Sequence, residues 1–117
     1  MTQNTSEKIL AKEVSALLDS KKAEDVRIID LTGTDYISQF VVVATAMAGK
    51  HALSLLQYIK DELRASGVKF YGVDEESENW IVIDLGGVTV HIFTENHRKK
   101  YNIEEFLDKI ATNNEIF

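Results

Sequence analysis

Two β-favouring runs, Trp80 to Leu85 and Val88 to Phe93, are separated only by Gly86-Gly87, a spacing that predicts a β-hairpin. The two-residue loop sets the register: Leu85 opposite Val88, Asp84 opposite Thr89, Ile83 opposite Val90, Val82 opposite His91, Ile81 opposite Ile92 and Trp80 opposite Phe93. A Gly-Gly loop suggests a type I′ turn, with positive φ at both glycines. Because side chains alternate along a strand, one face carries Ile81, Ile83, Leu85, Val88, Val90 and Ile92 and must be core. The other carries Trp80, Val82, Asp84, Thr89, His91 and Phe93. That mixture suits either a helix-covered face with a satisfied polar pair or a surface built to meet a partner, and Asp84 and His91 are diagonal neighbours within reach of a hydrogen bond.

The rest of the pattern is equally regular. Leu10, Val14, Leu17 and Leu18 repeat at helical spacing, predicting a helix over roughly Ser6 to Ser20 with Thr5 or Ser6 as its N-cap. Val26 to Leu31 reads as a short strand, and Phe40 to Ala44 as a buried central one. Ala52, Leu55, Leu56, Ile59 and Leu63 form one face of a second helix that stops at Gly67, a good C′ residue. Val68 to Val73 reads as a third strand, followed by an acidic loop containing Asp74, Glu75, Glu76 and Glu78. One extra helical turn fits Glu95 to Lys100. Asn102-Ile-Glu-Glu105 has the spacing of a capping box opening a last helix with Ile103, Phe106, Leu107 and Ile110 on its inner face. The tail from Asn113 to Phe117 is expected to fray. The order α-β-β-α-β-β-β-α predicts an α/β fold: a mixed sheet of about five strands with flanking helices.

Composition narrows what such a domain does. The chain of 117 residues suits one domain over 1–117 with an ordered core of about 6–112, and 44% hydrophobic with 27% charged residues matches an ordinary globular protein. With no cysteine, disulfides, thiol catalysis and cysteine-ligated metals are excluded. No apolar run approaches the roughly 18–20 residues of a membrane span, and the polar start resembles neither a signal nor a transit peptide, so a cytoplasmic protein is expected. A net charge of −6, with His97 to Lys100 as the only basic cluster, argues against direct nucleic-acid binding. A basic protein partner fits better.

Candidate chemistry is sparse. His51, His91 and His97 do not have the spacing of a metal motif. No serine stands in a Gly-x-Ser-x-Gly turn, leaving Asp84 and His91 as a structural pair rather than part of a triad. Nucleotidyl transfer needs carboxylates converging on Mg²⁺ and a glycine-rich phosphate cradle, but Thr45-Ala-Met-Ala-Gly49 offers one glycine and Asp84 stands alone. No metal or other cofactor is expected. Trp80, Phe93 and Tyr101 are either core or interface; the company of Asp84, His91 and Arg98 favours interface, where aromatics and arginine are enriched.

The string Trp80-x-x-x-Asp84, Val90-His91-x-Phe93 and Arg98-x-x-Tyr101-x-x-Glu104 resembles the ribosomal silencing factor family, also called the Iojap family. Weaker similarity runs through Ile29-Asp30-Leu31, Phe40 to Thr45 and His51, covering about residues 6–107. The resemblance implies a fold akin to nucleotidyltransferases without their catalytic groups. It also implies a bacterial, non-enzymatic translational repressor that binds the large ribosomal subunit through ribosomal protein fourteen and blocks joining of the small subunit, mainly when nutrients are scarce. The partner-binding residues would be Trp80, Phe93 and Tyr101 as apolar anchors, Arg98 and Glu104 as charged hydrogen-bonders, and Asp84 with His91 to orient the surface. This chain departs from the family pattern at Gln39, at Ala46-Met47-Ala48, at Asp74-Glu75 in a slightly shorter loop, and at Phe106-Leu107. The alternative from another class is a small nucleotidyltransferase-like enzyme using nucleotide and Mg²⁺. An aromatic sheet face is also compatible with a homodimer.

Overall fold

The computed structural model describes residues 2–116, with side chains for 6–112. The chain folds as α1 (Thr2–Ser20), β1 (Glu24–Asp30), β2 (Phe40–Ala46), α2 (Gly49–Ala65), β3 (Gly72–Ser77), β4 (Trp80–Asp84), β5 (Val88–Thr94), α3 (Glu95–Tyr101) and α4 (Ile103–Ile116). The five strands lie in the order β1-β2-β5-β4-β3, with β2 and β5 parallel and every other pair antiparallel. This is the mixed, helix-flanked sheet that the alternation of periods predicts.

The hairpin register is as read from the two-residue loop: Trp80 faces Phe93, Val82 faces His91 and Asp84 faces Thr89. Its aliphatic face joins α1 and α2 in one core, where Ile81, Ile83, Val88, Val90 and Ile92 meet Val14, Leu18, Leu55 and Ile59. The turn differs in type. Only Gly86 has positive φ (92°), the sign pattern of a II′ turn rather than I′, and Asp84 Oδ1 accepts the Gly86 N–H at 2.9 Å. α2 ends as expected: Gly67, at φ 84°, donates to the Arg64 carbonyl and Val68 to that of Leu63, a Schellman closure.

Several local expectations are corrected. Helix α1 begins at Thr2, so Ser6 is inside the helix rather than at its cap; the Thr5 side chain lies outside the described residues. The third strand is not Val68 to Val73 but Gly72–Ser77, so most of the supposed acidic loop is strand. It is an edge, and charged side chains on an edge deter unwanted pairing with other chains. Asn102 does not open a capping box. It sits at φ 42°, its backbone N–H bonds to the Arg98 carbonyl, and it closes α3 in a left-handed conformation that redirects the chain into α4. α4 runs to Ile116, and Phe117 lies outside the described residues. On α4, Leu107 is buried and Ile103 and Ile110 are partly so, whereas Phe106 is 59% exposed and not on the inner face.

The second sheet face is covered on one side only. α3 packs on β5 and α4 on β1, closing a smaller core of Ile29, Leu31, Val41, Val43, Phe93 and Leu107. The β4–β3 side of that face lies beyond this helical cover.

Candidate functional site

Helix α3 follows β5 at once, with Thr94 as its extended N-cap, so the chain turns back over the second face within a few residues of Phe93. This brings α3 beside Trp80 and sends Arg98 inward. Arg98 is 9% exposed, and its guanidinium is heavily committed. Nε and Nη2 donate to the two carboxylate oxygens of Glu104 at 2.8 and 3.0 Å, while Nη1 donates to the Asp25 carbonyl at 2.7 Å and Thr45 Oγ1 at 2.8 Å. A bidentate, charge-assisted pair of this kind joins α3 to α4, and the remaining guanidinium donor ties both to the start of β1 and the end of β2. Arg27 adds a contact to Glu104 at 3.2 Å and binds Asp108 at 2.8 Å. Arg98 chiefly, then Arg27, holds the Glu104 carboxyl below the usual carboxylate range against the opposing effect of burial.

Arg98 and Glu104 are therefore not free hydrogen-bonders awaiting a partner; they fasten the fold. Phe93 is also corrected. It is 0% exposed, enclosed by α4 and the β1–β2 side chains, and serves as the floor on which Trp80 stacks at 4.9 Å between ring centroids. Asp84 stands at the turn end of the hairpin and bonds to Gly86, so the Asp84–His91 pair does not form. His91 Nδ1 instead accepts the Trp80 Nε1–H at 3.1 Å. With Nδ1 accepting, the ring proton is assigned to Nε2.

What stays accessible is a groove of about 250 Å³ on the open side of the face. Trp80, Val82 and Tyr101 wall it, with Tyr101 45% exposed and 4.8 Å from Trp80 between ring centroids. Asp74, Glu76, Ser77 and His97 complete the lining. Asp74, Glu76 and Ser77 escape the sequence pattern because an acidic edge strand carries no apolar alternation, and His97 reads there only as part of a basic cluster.

The other candidate positions are structurally occupied. His51 bridges two backbone groups, accepting from Met47 N–H and bonding to the Lys21 carbonyl, each at 2.9 Å. At the entry to α2, where a phosphate cradle would stand, the Glu78 carboxylate presses against Gly49 so closely that a Cβ there would collide with it.

Burial pushes the His91 imidazole down to about 4. An unfolded histidine takes up its proton near 6.5, so between these values the unfolded state binds more protons than the folded one. Stability from this residue is complete above about 6.5 and is lost as pH falls toward 4, by roughly 3 kcal/mol at most. Urea unfolding at pH 7.5 and 4.5 should show this loss, and His91→Gln, which keeps an acceptor for Trp80, should lose less. An equal loss in both proteins would exclude His91 as the source.

The family model described as "Ribosomal silencing factor during starvation" matches residues 3–116. A ribosomal silencing factor of Bacillus subtilis (strain 168) is 30% identical over 103 residues, covering 86% of each chain. The chloroplastic protein Iojap of Zea mays is 30% identical over 97 residues, covering 83% of this chain and 41% of the plant protein. A crystal structure of a protein from Chromobacterium violaceum superposes with a TM-score of 0.82 at 25% identity, covering 86% of this chain and 85% of that one.

Proposed function

Because this chain belongs to the ribosomal silencing factor family, we propose that it is a non-enzymatic repressor of translation in the bacterial cytoplasm, binding the large ribosomal subunit through ribosomal protein fourteen and sterically blocking the small subunit. The observation that carries this reading is the half-covered sheet face: Trp80 and Tyr101 stand at an open groove in an acidic chain, while α3 and α4 cover the β5–β2–β1 side of that face. Aromatic side chains fixed from behind and exposed in front are the anchors expected of a binding surface. A net charge of −6 suits a basic ribosomal protein, since opposite potentials speed encounter and set orientation. The carboxylate of Glu78 at the mouth of α2 supports binding over nucleotidyl transfer, because it would repel a phosphate placed there.

The test is a sucrose-gradient assay of purified large and small subunits. Added protein should deplete the monosome peak and co-migrate with the large subunit; an undiminished monosome peak at saturating protein would overturn the proposal. Tyr101→Ala should weaken large-subunit binding about tenfold, equivalent to ~1.4 kcal/mol, while shifting the circular-dichroism melt by no more than a few degrees. A large drop in melting temperature with unchanged binding would show that Tyr101 serves the fold instead.

A further inference from the structure

Resting on the reading of a basic partner, we propose that the groove beside Trp80 is a slot for one arginine side chain of that partner, held between aromatic rings and two carboxylates of the sheet edge. The bulge in β3 makes the slot. Pairing runs from Asp74 opposite Val82 to Ser77 opposite Trp80, so three steps on β3 span two on β4. The extra residue keeps Asp74 and Ser77 both on the Trp80 side, and Glu76 lines the same groove. Glu75 instead meets Lys60 of α2 at 3.6 Å, and α2 lies on the opposite face.

The groove's chemistry selects a cation with a flat head. Among the described residues, neither Asp74 nor Glu76 has a basic side chain within 4 Å, unlike Glu75, Glu95, Glu104, Glu105 and Asp108. Asp74 Oδ1 accepts the Glu76 N–H at 3.2 Å, which holds the two residues in one short turn. The indole N–H is already spent on His91, so Trp80 offers only ring surface and edge. Tyr101 already takes one cation of this chain, with Lys100 Nζ 5.4 Å from its centroid. Carboxylates plus π surface, with no free indole donor, favour a positive guest over an anion. Between the two basic side chains, the planar guanidinium both stacks on aromatic rings and donates to two carboxylates at once, whereas an ammonium is a compact, strongly hydrated point charge. A volume of about 250 Å³ admits one long side chain and no larger element.

Trp80 is the chain's only tryptophan, so its fluorescence reports on this groove directly. A blocked tri-arginine peptide, titrated at low salt, should change the emission at concentrations at least tenfold lower than its tri-citrulline isostere. Asp74→Asn/Glu76→Gln, both at exposed positions, should weaken the peptide at least tenfold. Glu95→Gln/Glu105→Gln, an equal change in net charge outside the groove, should leave the titration unchanged. Citrulline binding as well as arginine, a D74N/E76Q titration matching the parent's, or an equal loss in E95Q/E105Q would overturn the slot. Large-subunit co-sedimentation separates this inference from the functional reading. If the parent chain and D74N/E76Q co-sediment equally, the slot fails and the repressor reading survives. If the parent does not co-sediment but the arginine peptide still titrates with the predicted pattern, the reading fails and the slot stands.

Discussion

Arg98→Ala should destabilise the fold by about 3–5 kcal/mol, the cost of breaking a buried ion pair by removing one partner. At roughly 4 °C per kcal/mol for a chain of this size, the melt should fall by more than about 10 °C. The substitution strips Glu104 of its bidentate partner and leaves Thr45 Oγ1 and the Asp25 carbonyl without their donor. Arg27, 3.2 Å from Glu104, moderates the loss by keeping one cation beside that carboxylate. Glu104→Gln provides the complementary measurement: it leaves the Arg98 charge buried with only neutral partners, so it should also lower the melt by several degrees. Thermal unfolding of both variants and the double variant gives the coupling between them. A melt within about a degree of the parent for Arg98→Ala would mean that the guanidinium is free at the surface, as a direct role in partner binding would require.

Phe93→Ala should cost a similar ~3–5 kcal/mol, as is usual for deleting a buried ring. Its ring is wholly enclosed among Ile29, Leu31, Val41, Val43 and Leu107, and the cavity left behind cannot be filled by sliding strands whose register is hydrogen-bonded on both sides. The loss should also reach the surface. Trp80 stacks on Phe93, so the emission of this sole tryptophan should change in the folded state as well as in the unfolding curve. Urea unfolding followed by fluorescence measures both. If Phe93→Ala unfolds at the parent's urea midpoint but loses large-subunit binding, Phe93 would be an interface anchor after all. Phe93 and Tyr101 thus make a paired test: both meet Trp80 in one aromatic cluster, with opposite expected balances between stability and binding.

The hairpin shows why some of this molecule was legible in advance. Loop length and side-chain alternation are local constraints, and together they determine which residues oppose each other and which face is aliphatic. The α2 stop at Gly67 was legible for the same reason, since the left-handed residue and its two closing bonds lie within one turn. β3 was misplaced because an exposed edge strand built from Asp74, Glu75 and Glu76 carries neither hydrophobic alternation nor high strand propensity; pairing with β4 holds it. The burial of Phe106 was overestimated because an inner-face pattern tolerates a residue at its margin, and only the position of α4 against β1 decides which residues lie inside.

The functional face divides along the same line. From the sequence alone came the set of side chains that share it, Trp80, Val82, Asp84, Thr89, His91 and Phe93, and the resemblance that adds Arg98, Tyr101 and Glu104. The tertiary structure decided which of them are buried and which are exposed. Arg98 reads as a surface charge until its partners 53 and 73 residues away are brought to it, and Phe93 reads as an anchor until Leu107 closes over it. Alternation is a property of neighbouring residues and is written in their order; burial is a property of what else arrives, and that depends on a left-handed turn at Asn102 and helices packed from distant parts of the chain.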